Sequence, residues 1–391
     1  MEFLNKNKIF IDQEAHITLA MVQAGLLKPI DKLMNKKEAK IADEKKLYKN
    51  KPVPFSFILA PAGRRNEEVL KNNPKKIELF CEGVKVGEIE VEEIYEIDPI
   101  KRVKTIYGTA DAKNYPQVAK TLKRLGKYAI AGNFWVEDTG IKKRVDFVKE
   151  KIKGLKSVVG MTMHAKPIHR VHEKIMRQVI EKNDMLIIFL IKNIQKEEIP
   201  YQLRYEALKE IINNYFPKNK ILIVPLLNTY IFSGVNEAIL DAMIAKNFGC
   251  NKFIIGQTHK GLGIHYEANH LKSIFDSMDL GIEVETINEY VYCEKCKTIV
   301  SVNSCPHGSH HHISYHSDSI FELIKTGLIP PTILMRKEIS AKYLAYLFPN
   351  RFKNLQKLYY DISPNKGLIE ESSDEDFYIA LMKLYQTSSL T

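Results

Sequence analysis

The chain has no long run of apolar residues. Its longest purely apolar stretch is MLIIFLI, residues 185–191, whereas a helix that spans a bilayer needs about 20 apolar residues. The first residues, MEFLNKNKIFID, also lack the apolar segment and the small-residue cleavage site of a secretory signal peptide. We therefore expect a soluble, cytoplasmic protein without a membrane partner.

Cysteine is scarce as well, with 5 residues in 391. This number excludes a disulfide framework as the main support of a chain of this size. Cys81 and Cys250 stand among apolar residues and are expected to be buried thiols. The other three, Cys293, Cys296 and Cys305, lie close together in the sequence. Inside a reducing cell, such a cluster indicates a metal site before it indicates a disulfide.

Neither sign of charge dominates the chain. Lysine and arginine total 58 against 47 for aspartate and glutamate, which gives a formal net charge of +11. The basic residues are spread along the chain and do not form blocks, so we expect small anions as partners and no nucleic acid. With 391 residues, of which 45 % are hydrophobic, the chain is long enough for two or three domains with substantial cores.

Short apolar runs alternate with longer helical patterns in the middle of the chain. This alternation predicts an α/β domain with a parallel sheet flanked by helices. Ligands of such sheets bind at the carboxyl ends of the strands. The predicted strands are residues 157–163, 184–191, 220–226 and 251–256, and the predicted helices are 168–183, 201–216 and 236–249.

The two ends of the chain differ from this middle part. The first 155 residues are rich in β-branched and aromatic residues, which predicts a β-rich domain with the lone Trp135 in its core. Short helical segments and the acidic stretch 369–377 near the other end indicate a small helical domain with a partly mobile linker. The predicted domains are residues 1–155, 156–325 and 326–391.

The sequence GMTMHAKPIHRVHE, residues 160–173, stands where the first of these strands passes into a helix. His169 and His172 follow Pro167, a residue type that is tolerated at a helix start. The unpaired N–H groups and the dipole of a helix start attract phosphate, and histidines in the first turn can donate to its oxygens. The spacing alone leaves a second interpretation open, in which both histidines are ordinary solvated or packed helix residues.

The same stretch, with PxHxxHE after a strand, resembles the ATP-binding motif of adenylyl-transferring α/β enzymes. Residues 225–261 resemble the segment that leads into the Gly-Arg-Asp-His-Ala-Gly motif of the ATP sulfurylase (sulfate adenylyltransferase) family. Residues 25–39, 107–134 and 313–331 resemble other parts of that family, in the same order. The resemblance implies a Rossmann-like parallel-sheet nucleotidyltransferase domain, preceded by a β-rich PUA-like domain and followed by a small helical domain.

The resemblance also implies a reaction, in which ATP and sulfate give adenosine 5′-phosphosulfate and pyrophosphate, or the reverse. Mg²⁺ would accompany ATP, although the sequence shows no dedicated carboxylate pair for it, and members of the family often form homo-oligomers. The residues expected to hold the phosphates or to act in catalysis are His169, His172, Lys166 and His259. Further contacts to the nucleotide are expected from His164, Arg170, Gly256, Gln257, Lys260, Gly261 and Ser314.

The chain departs from this family at positions where the family's motifs carry the residues that act on the substrates. Ala165 stands where the family has the arginine that grips sulfate, and Tyr315 replaces the glycine of its Ile-Ser-Gly-Thr loop. Lys166 and Lys260 are new cations nearby, but lysine is a point charge, whereas arginine holds an oxyanion by two parallel N–H bonds. Three interpretations stay open: an ATP sulfurylase with a rebuilt anion pocket, a nucleotidyltransferase with another acceptor, or a binding or regulatory protein that has lost the reaction.

The cysteine cluster lies in CEKCKTIVSVNSCPHGSHHH, residues 293–312. Cys-x2-Cys puts two thiolates on one tight turn, which is the usual first half of a tetrahedral zinc site. Some members of the family carry a structural zinc in this region, and a coincidental cluster of reduced cysteines is the alternative. The fourth ligand could be His307, His310, His311 or His312, and a relaxed loop favours His310. The predicted ligands of a structural Zn²⁺ are Cys293, Cys296, Cys305 and His310.

Overall fold

A computed structural model describes residues 7–256, 275, 276, 278–349 and 373–386 of the chain. The chain divides into two compact units. The first unit contains residues 1–162, 183–195 and 224–287, and the second contains residues 163–182, 196–223 and 288–391. None of the helices in the described ranges is long and apolar enough to cross a membrane. The domain boundaries after residues 155 and 325 stay predictions.

A five-stranded mixed sheet forms the amino-terminal part of the first unit, which confirms its β-rich character. The strand order is β1-β5-β6-β7-β4. β1 pairs with β5 in parallel, and the other neighbouring strands are antiparallel. The bounds are β1 (Lys8–Phe10), β4 (Leu59–Pro61), β5 (Lys76–Cys81), β6 (Val84–Glu96) and β7 (Leu125–Val136), and a short hairpin is formed by β2 (Leu47–Tyr48) and β3 (Lys51–Pro52).

Side chains alternate across this sheet, and the alternation corrects one prediction. Val136 points into the core and is 0 % exposed, whereas its neighbour Trp135 is 55 % exposed. Trp135 lies opposite Glu88 of β6 on the outer face. The prediction of a core tryptophan was therefore wrong. It rested on residue type alone, whereas successive side chains of a strand point to opposite faces of the sheet.

Six helices accompany this part of the chain, and several begin at capping side chains. Asp12 accepts a hydrogen bond from the backbone N–H of Ala15 at 2.8 Å, and Asn35 and Glu38 form a capping box. Such caps satisfy N–H groups that a helix leaves unpaired. The bounds are α1 (Gln13–Gln23), α2 (Lys36–Lys45), α3 (Arg64–Lys71), α4 (Pro99–Tyr107), α5 (Pro116–Arg124) and α6 (Ile141–Lys151).

A second five-stranded sheet has the order β10-β9-β8-β11-β12. β8 runs parallel to β11, and β11 runs parallel to β12. The predicted alternation of strands and helices is confirmed, because contiguous apolar runs suit strands that are buried on both faces. The bounds are β8 (Val158–Met163), β9 (Met185–Asn193), β10 (Ile221–Asn228), β11 (Lys252–Gly256) and β12 (Glu283–Ile287), with helix α9 (Val235–Phe248) between β10 and β11.

Gly160 lets helix α9 approach strand β8 closely. A Cβ atom at this position would lie 2.9 Å from Cβ of Ala245 and 3.0 Å from the ring of Phe189, closer than real Cβ atoms approach. Glycine is therefore required by packing at this point. The close approach brings side chains of α9 next to the end of β8.

The second unit is mainly helical. Six residues separate the end of β8 from the start of α7, and Glu173 on the first turn of α7 is 4 % exposed. The described helices of this unit are α7 (Arg170–Lys182), α8 (Tyr201–Tyr215), α10 (Ser317–Lys325), α11 (Lys337–Leu347) and α12 (Asp374–Gln386). An antiparallel three-stranded sheet of order β14-β13-β15 completes it, with β13 (Tyr290–Cys293), β14 (Thr298–Ser301) and β15 (His312–Ser314).

Candidate functional site

The two predicted phosphate-binding histidines stand together at the start of α7. The centroids of the His169 and His172 rings lie 3.8 Å apart. The backbone N–H of His169 donates to Nδ1 of His172 at 3.1 Å, so the first turn is held partly by a side chain. His169 is only 6 % exposed. Among the described residues, no hydrogen-bond partner meets its buried Nδ1.

Burial makes both imidazoles weak bases. It lowers the pKa of His169 well below the ordinary value, and the neighbouring His172 lowers it further. Burial also lowers the pKa of His172 to about 4. Both rings are therefore neutral at pH 7, and each can offer one N–H donor. Because Nδ1 of His172 accepts from the backbone, the proton of this ring lies on Nε2.

A buried carboxylate holds this helix start in place. Glu173 is 4 % exposed and accepts from Nε and Nη2 of Arg336, both at 2.8 Å. The same carboxylate accepts from Nη1 of Arg170 at 3.2 and 3.3 Å. The backbone N–H of Arg170 donates to the carbonyl of Leu334 at 2.9 Å. The corner formed by Glu173, Arg170 and Arg336 keeps one net positive charge, because two guanidinium groups share one carboxylate.

Tyr315 covers the buried histidine. Its ring centroid lies 5.5 Å from that of His169, and its hydroxyl donates to the carbonyl of Ile333 at 2.5 Å. Burial raises the pKa of Tyr315 to about 12, so the hydroxyl keeps its proton and acts as a donor. The neighbouring Ser314, a predicted nucleotide contact, is exposed at the end of β15.

The predicted anion contact Lys166 is already paired with a carboxylate. Its Nζ lies 2.5 Å from Oε1 of Glu197, and the other oxygen of Glu197 accepts from Nη2 of Arg204. Arg204 also donates to the carbonyl of His164 at 2.7 Å. Ala165, at the position where the resemblance places the family's arginine, is only 2 % exposed. Spacing in sequence could not reveal Glu197 or Arg204.

The remaining predicted nucleotide contacts follow the end of strand β11. Gly256 is the last residue of that strand, in the first unit, and it is exposed. The predicted contacts Gln257, His259, Lys260 and Gly261 lie outside the described residues.

Helix α9 of the first unit carries a carboxylate pair that the sequence interpretation missed. Glu237 and Asp241 stand one helical turn apart and are 8 % and 1 % exposed. Burial raises the pKa of Glu237 well above its ordinary value, with a further contribution from Asp241. Burial raises the pKa of Asp241 to about 7, against the opposing effect of a hydrogen bond with Thr162 of β8. Two acidic residues on the mostly apolar stretch of this helix were the signal for this pair.

The cysteine cluster gathers around a histidine other than the predicted one. Nδ1 of His307 lies 3.4, 3.3 and 3.6 Å from Sγ of Cys293, Cys296 and Cys305. Sγ of Cys296 lies 3.9 Å from Sγ of Cys305. Tetrahedral zinc with Zn–S bonds of about 2.3 Å places its sulfur ligands roughly 3.8 Å apart. These four side chains therefore fit a zinc ion.

The predicted fourth ligand, His310, is not in this group. Its ring packs on that of His311, with 4.1 Å between centroids, and turns back toward Gly308. The segment Ser309–His311 forms a tight 3-10 turn and not the relaxed loop that favoured His310. His307 takes the place predicted for His310, and Nε2 of His312 lies 3.4 Å from Sγ of Cys305.

Comparisons with known sequences give one family for most of the chain. The profile of the ATP-sulfurylase family matches residues 142–346, and that of the PUA-like domain matches residues 2–139. The chain is 26 % identical over 343 residues to a sulfate adenylyltransferase from Chloroflexus aurantiacus, covering 84 % of this chain and 88 % of that protein. It is 30 % identical over 279 residues to a sulfate adenylyltransferase from Staphylothermus marinus, covering 67 % and 70 %.

A solved structure has a similar fold. The structure described as a hexameric APS kinase from Thiobacillus denitrificans matches with a TM-score of 0.62 at 14 % identity. The match covers 89 % of this chain and 64 % of that chain, and at this identity it shows the fold alone. Together, the matches confirm the predicted fold class, with a PUA-like domain followed by an α/β domain of the nucleotidyltransferase type.

Proposed function

The chain belongs to the ATP-sulfurylase family, and we propose that it transfers the adenylyl group of ATP to an oxyanion with release of pyrophosphate. The relatives are named sulfate adenylyltransferases, so sulfate is the first acceptor that we propose. The observation that carries the proposal is the buried Nδ1 of His169, which no described group satisfies. A buried donor without a partner is costly, and an oxygen of a bound phosphate would supply the partner.

The proposed step moves no proton. An oxygen of the acceptor attacks the α-phosphorus of ATP, while the bond from that phosphorus to the bridging oxygen of the β-phosphate breaks. With sulfate, the products are adenosine 5′-phosphosulfate and pyrophosphate. The site must therefore align two anions and offset charge on the leaving pyrophosphate. Mg²⁺ on the phosphates would supply part of that positive charge.

The start of α7 has the donors for the pyrophosphate part of ATP. His169 would donate from Nδ1, and His172 from Nε2, whose proton is fixed by the backbone contact at Nδ1. Arg170 is 33 % exposed and lies in the corner that keeps one net positive charge. The unpaired N–H groups of the helix start add to this attraction. Tyr315, whose ring packs on His169, would be displaced when His169 contacts a phosphate.

Exchange of labelled pyrophosphate into ATP tests this function. We expect exchange that requires sulfate in the unmodified protein and that falls by a factor of about 10² or more in His169→Ala, the loss of one electrostatic donor in an active site. Binding of ATP without exchange in the presence of any oxyanion would contradict the proposal and favour a regulatory protein.

A second candidate is adenylyl transfer to an acceptor other than sulfate. The pairing of Lys166 with Glu197 favours it, because the cation predicted to replace the family arginine is already neutralised. Exchange that depends on another oxyanion, and not on sulfate, would support this candidate.

We also propose a structural zinc site made by Cys293, Cys296, Cys305 and His307. Four protein ligands leave no open position for a substrate, so the metal would stabilise the fold. It would fix the turn between β13 and β14 and the segment that leads into β15, which ends at Ser314.

A further inference from the structure

The carboxylate of Glu197 binds two cations, Lys166 in the loop before α7 and Arg204 on helix α8. Oε1 of Glu197 lies 2.5 Å from Nζ of Lys166, and Oε2 accepts from Arg204. The side chain of Glu197 is 8 % exposed, that of Lys166 is 22 % exposed, and that of Arg204 is 0 % exposed. The carboxylate thus lies beneath a lysine that still reaches the surface.

Arg204 is closed to a ligand because its side chain is fully buried. Its Nη1 donates to the carbonyl of His164 at 2.7 Å, and its Nε donates to that of Ile199 at 3.4 Å. A fully buried guanidinium held in this way fixes the backbone of the loop before α7. Of these two cations, only Lys166 can therefore meet an incoming anion, and it does so as one half of an ion pair with Glu197.

We propose that Glu197 is the residue that sets the affinity of this site for doubly charged oxyanions. Its carboxylate takes the place of an external anion on Lys166 and repels a second one, so that sulfate binds weakly to the native protein. The inference rests on the proposed function in one respect, which is that the acceptor approaches along the loop of residues 163–167.

Substitution by glutamine removes the charge of Glu197 and keeps the size and shape of the side chain. In Glu197→Gln the amide oxygen still accepts from Arg204, whereas Lys166 loses its counter-ion. We expect sulfate affinity to rise about ten- to a hundredfold, the gain typical of one charge-assisted hydrogen bond. Calorimetric titration with sodium sulfate, alone and with a non-hydrolysable ATP analogue, measures this change.

Glu198 supplies the matched control. This neighbouring carboxylate has a side chain that is 61 % exposed and pairs with Lys325 at 3.0 Å. Glu198→Gln should leave sulfate affinity as it is in the unmodified protein. A sulfate affinity in Glu197→Gln within twofold of the unmodified protein, or an equal rise in Glu198→Gln, would overturn the proposal.

The test separates this inference from the proposed function. Titration with sulfate alone measures the effect of Glu197 even if ATP does not bind, whereas failure of the ATP analogue to bind counts against the function. If Glu197→Gln does not fold, Glu197→Ala removes the same charge and is titrated in the same way. The proposal expects a comparable rise in sulfate affinity, and an affinity within twofold of the unmodified protein would overturn it.

Discussion

The backbone N–H of His169 donates to Nδ1 of His172 at 3.1 Å. This contact fixes the proton of His172 on Nε2, which is the atom that we assign to a phosphate oxygen. His172→Ala should weaken ATP binding about ten- to a hundredfold, as expected for loss of one hydrogen bond to a charged group. Calorimetry with a non-hydrolysable ATP analogue measures the change. His16 on α1 gives the control, and equal affinity in His172→Ala and His16→Ala would contradict the assignment.

Binding of ATP should not be coupled to proton uptake by His172. Burial lowers the pKa of this ring to about 4. Phosphates beside the ring favour its charged form, but a second proton would have to enter Nδ1, which accepts from the backbone N–H of His169. The ring should therefore stay neutral when Mg-ATP binds at pH 6. Calorimetry in buffers of different ionisation enthalpy should show the same number of protons exchanged in the unmodified protein and in His172→Ala. Uptake that is present in the unmodified protein and lost in His172→Ala would contradict the assignment of the proton to Nε2 alone.

The carboxylate of Glu173 should be essential for the stability of the second unit. Glu173→Gln leaves Arg336 and Arg170 near a neutral amide, and breaking a buried pair typically costs about 3–5 kcal/mol. Denaturant unfolding should therefore show a loss of free energy of this order. Glu68→Gln, at an exposed pair with Arg64, should change it by less than about 1 kcal/mol. Equal effects of the two substitutions would show that the buried pair has no special role.

The carboxylate pair on α9 should make the first unit less stable as the pH rises. The pKa of Asp241 is raised to about 7 in the folded chain, and that of Glu237 is raised as well. The folded state therefore holds more protons than the unfolded state between pH 4 and 7, and the free energy of unfolding falls across that range. Asp241→Asn should be more stable than the unmodified protein at pH 8, by on the order of 2–4 kcal/mol, and similar to it at pH 4.

Asp146→Asn is the control for this experiment, because Asp146 is exposed and pairs with Lys142 on the surface. Thermal unfolding of the three proteins from pH 4 to pH 8 gives the comparison. Asp241→Asn and the unmodified protein could differ in stability by the same amount at pH 4 and at pH 8. That result would show that titration of the carboxylate pair is not the cause of the difference.

Zinc binding should depend on His307 and not on His310. Protein purified without a metal column or histidine tag should contain about one zinc per chain, by elemental analysis. His307→Ala should lower the zinc affinity, because loss of one of four ligands opens the site. His310→Ala should bind zinc as the unmodified protein does. A loss confined to His310→Ala would restore the prediction made from the sequence.

The parallel sheet could be predicted from the sequence because its buried strands consist of contiguous apolar residues. β9 shows this most clearly, since Leu186 and Ile191 and every residue between them are at most 4 % exposed. Helix α7 could be predicted equally well, because its apolar residues recur with the helical period. The location of the histidine pair followed from these two elements.

The contacts that decide the chemistry could not be predicted, since they join residues that only folding brings together. Lys166 was predicted as a contact to the acceptor anion, and Glu197, which is distant in sequence, neutralises it. His307, and not His310, lies among the three cysteines, because the segment after His307 turns tightly, which spacing does not specify. Tyr315 was seen only as a departure from a motif, whereas its packing on His169 depends on the fold.

A crystal structure of the protein with a non-hydrolysable ATP analogue and Mg²⁺ tests the account most directly. We expect Tyr315 to be displaced, and phosphate oxygens to lie within hydrogen-bonding distance of Nδ1 of His169 and Nε2 of His172. A structure in which the nucleotide binds elsewhere, with the tyrosine ring still resting on His169, would contradict the account.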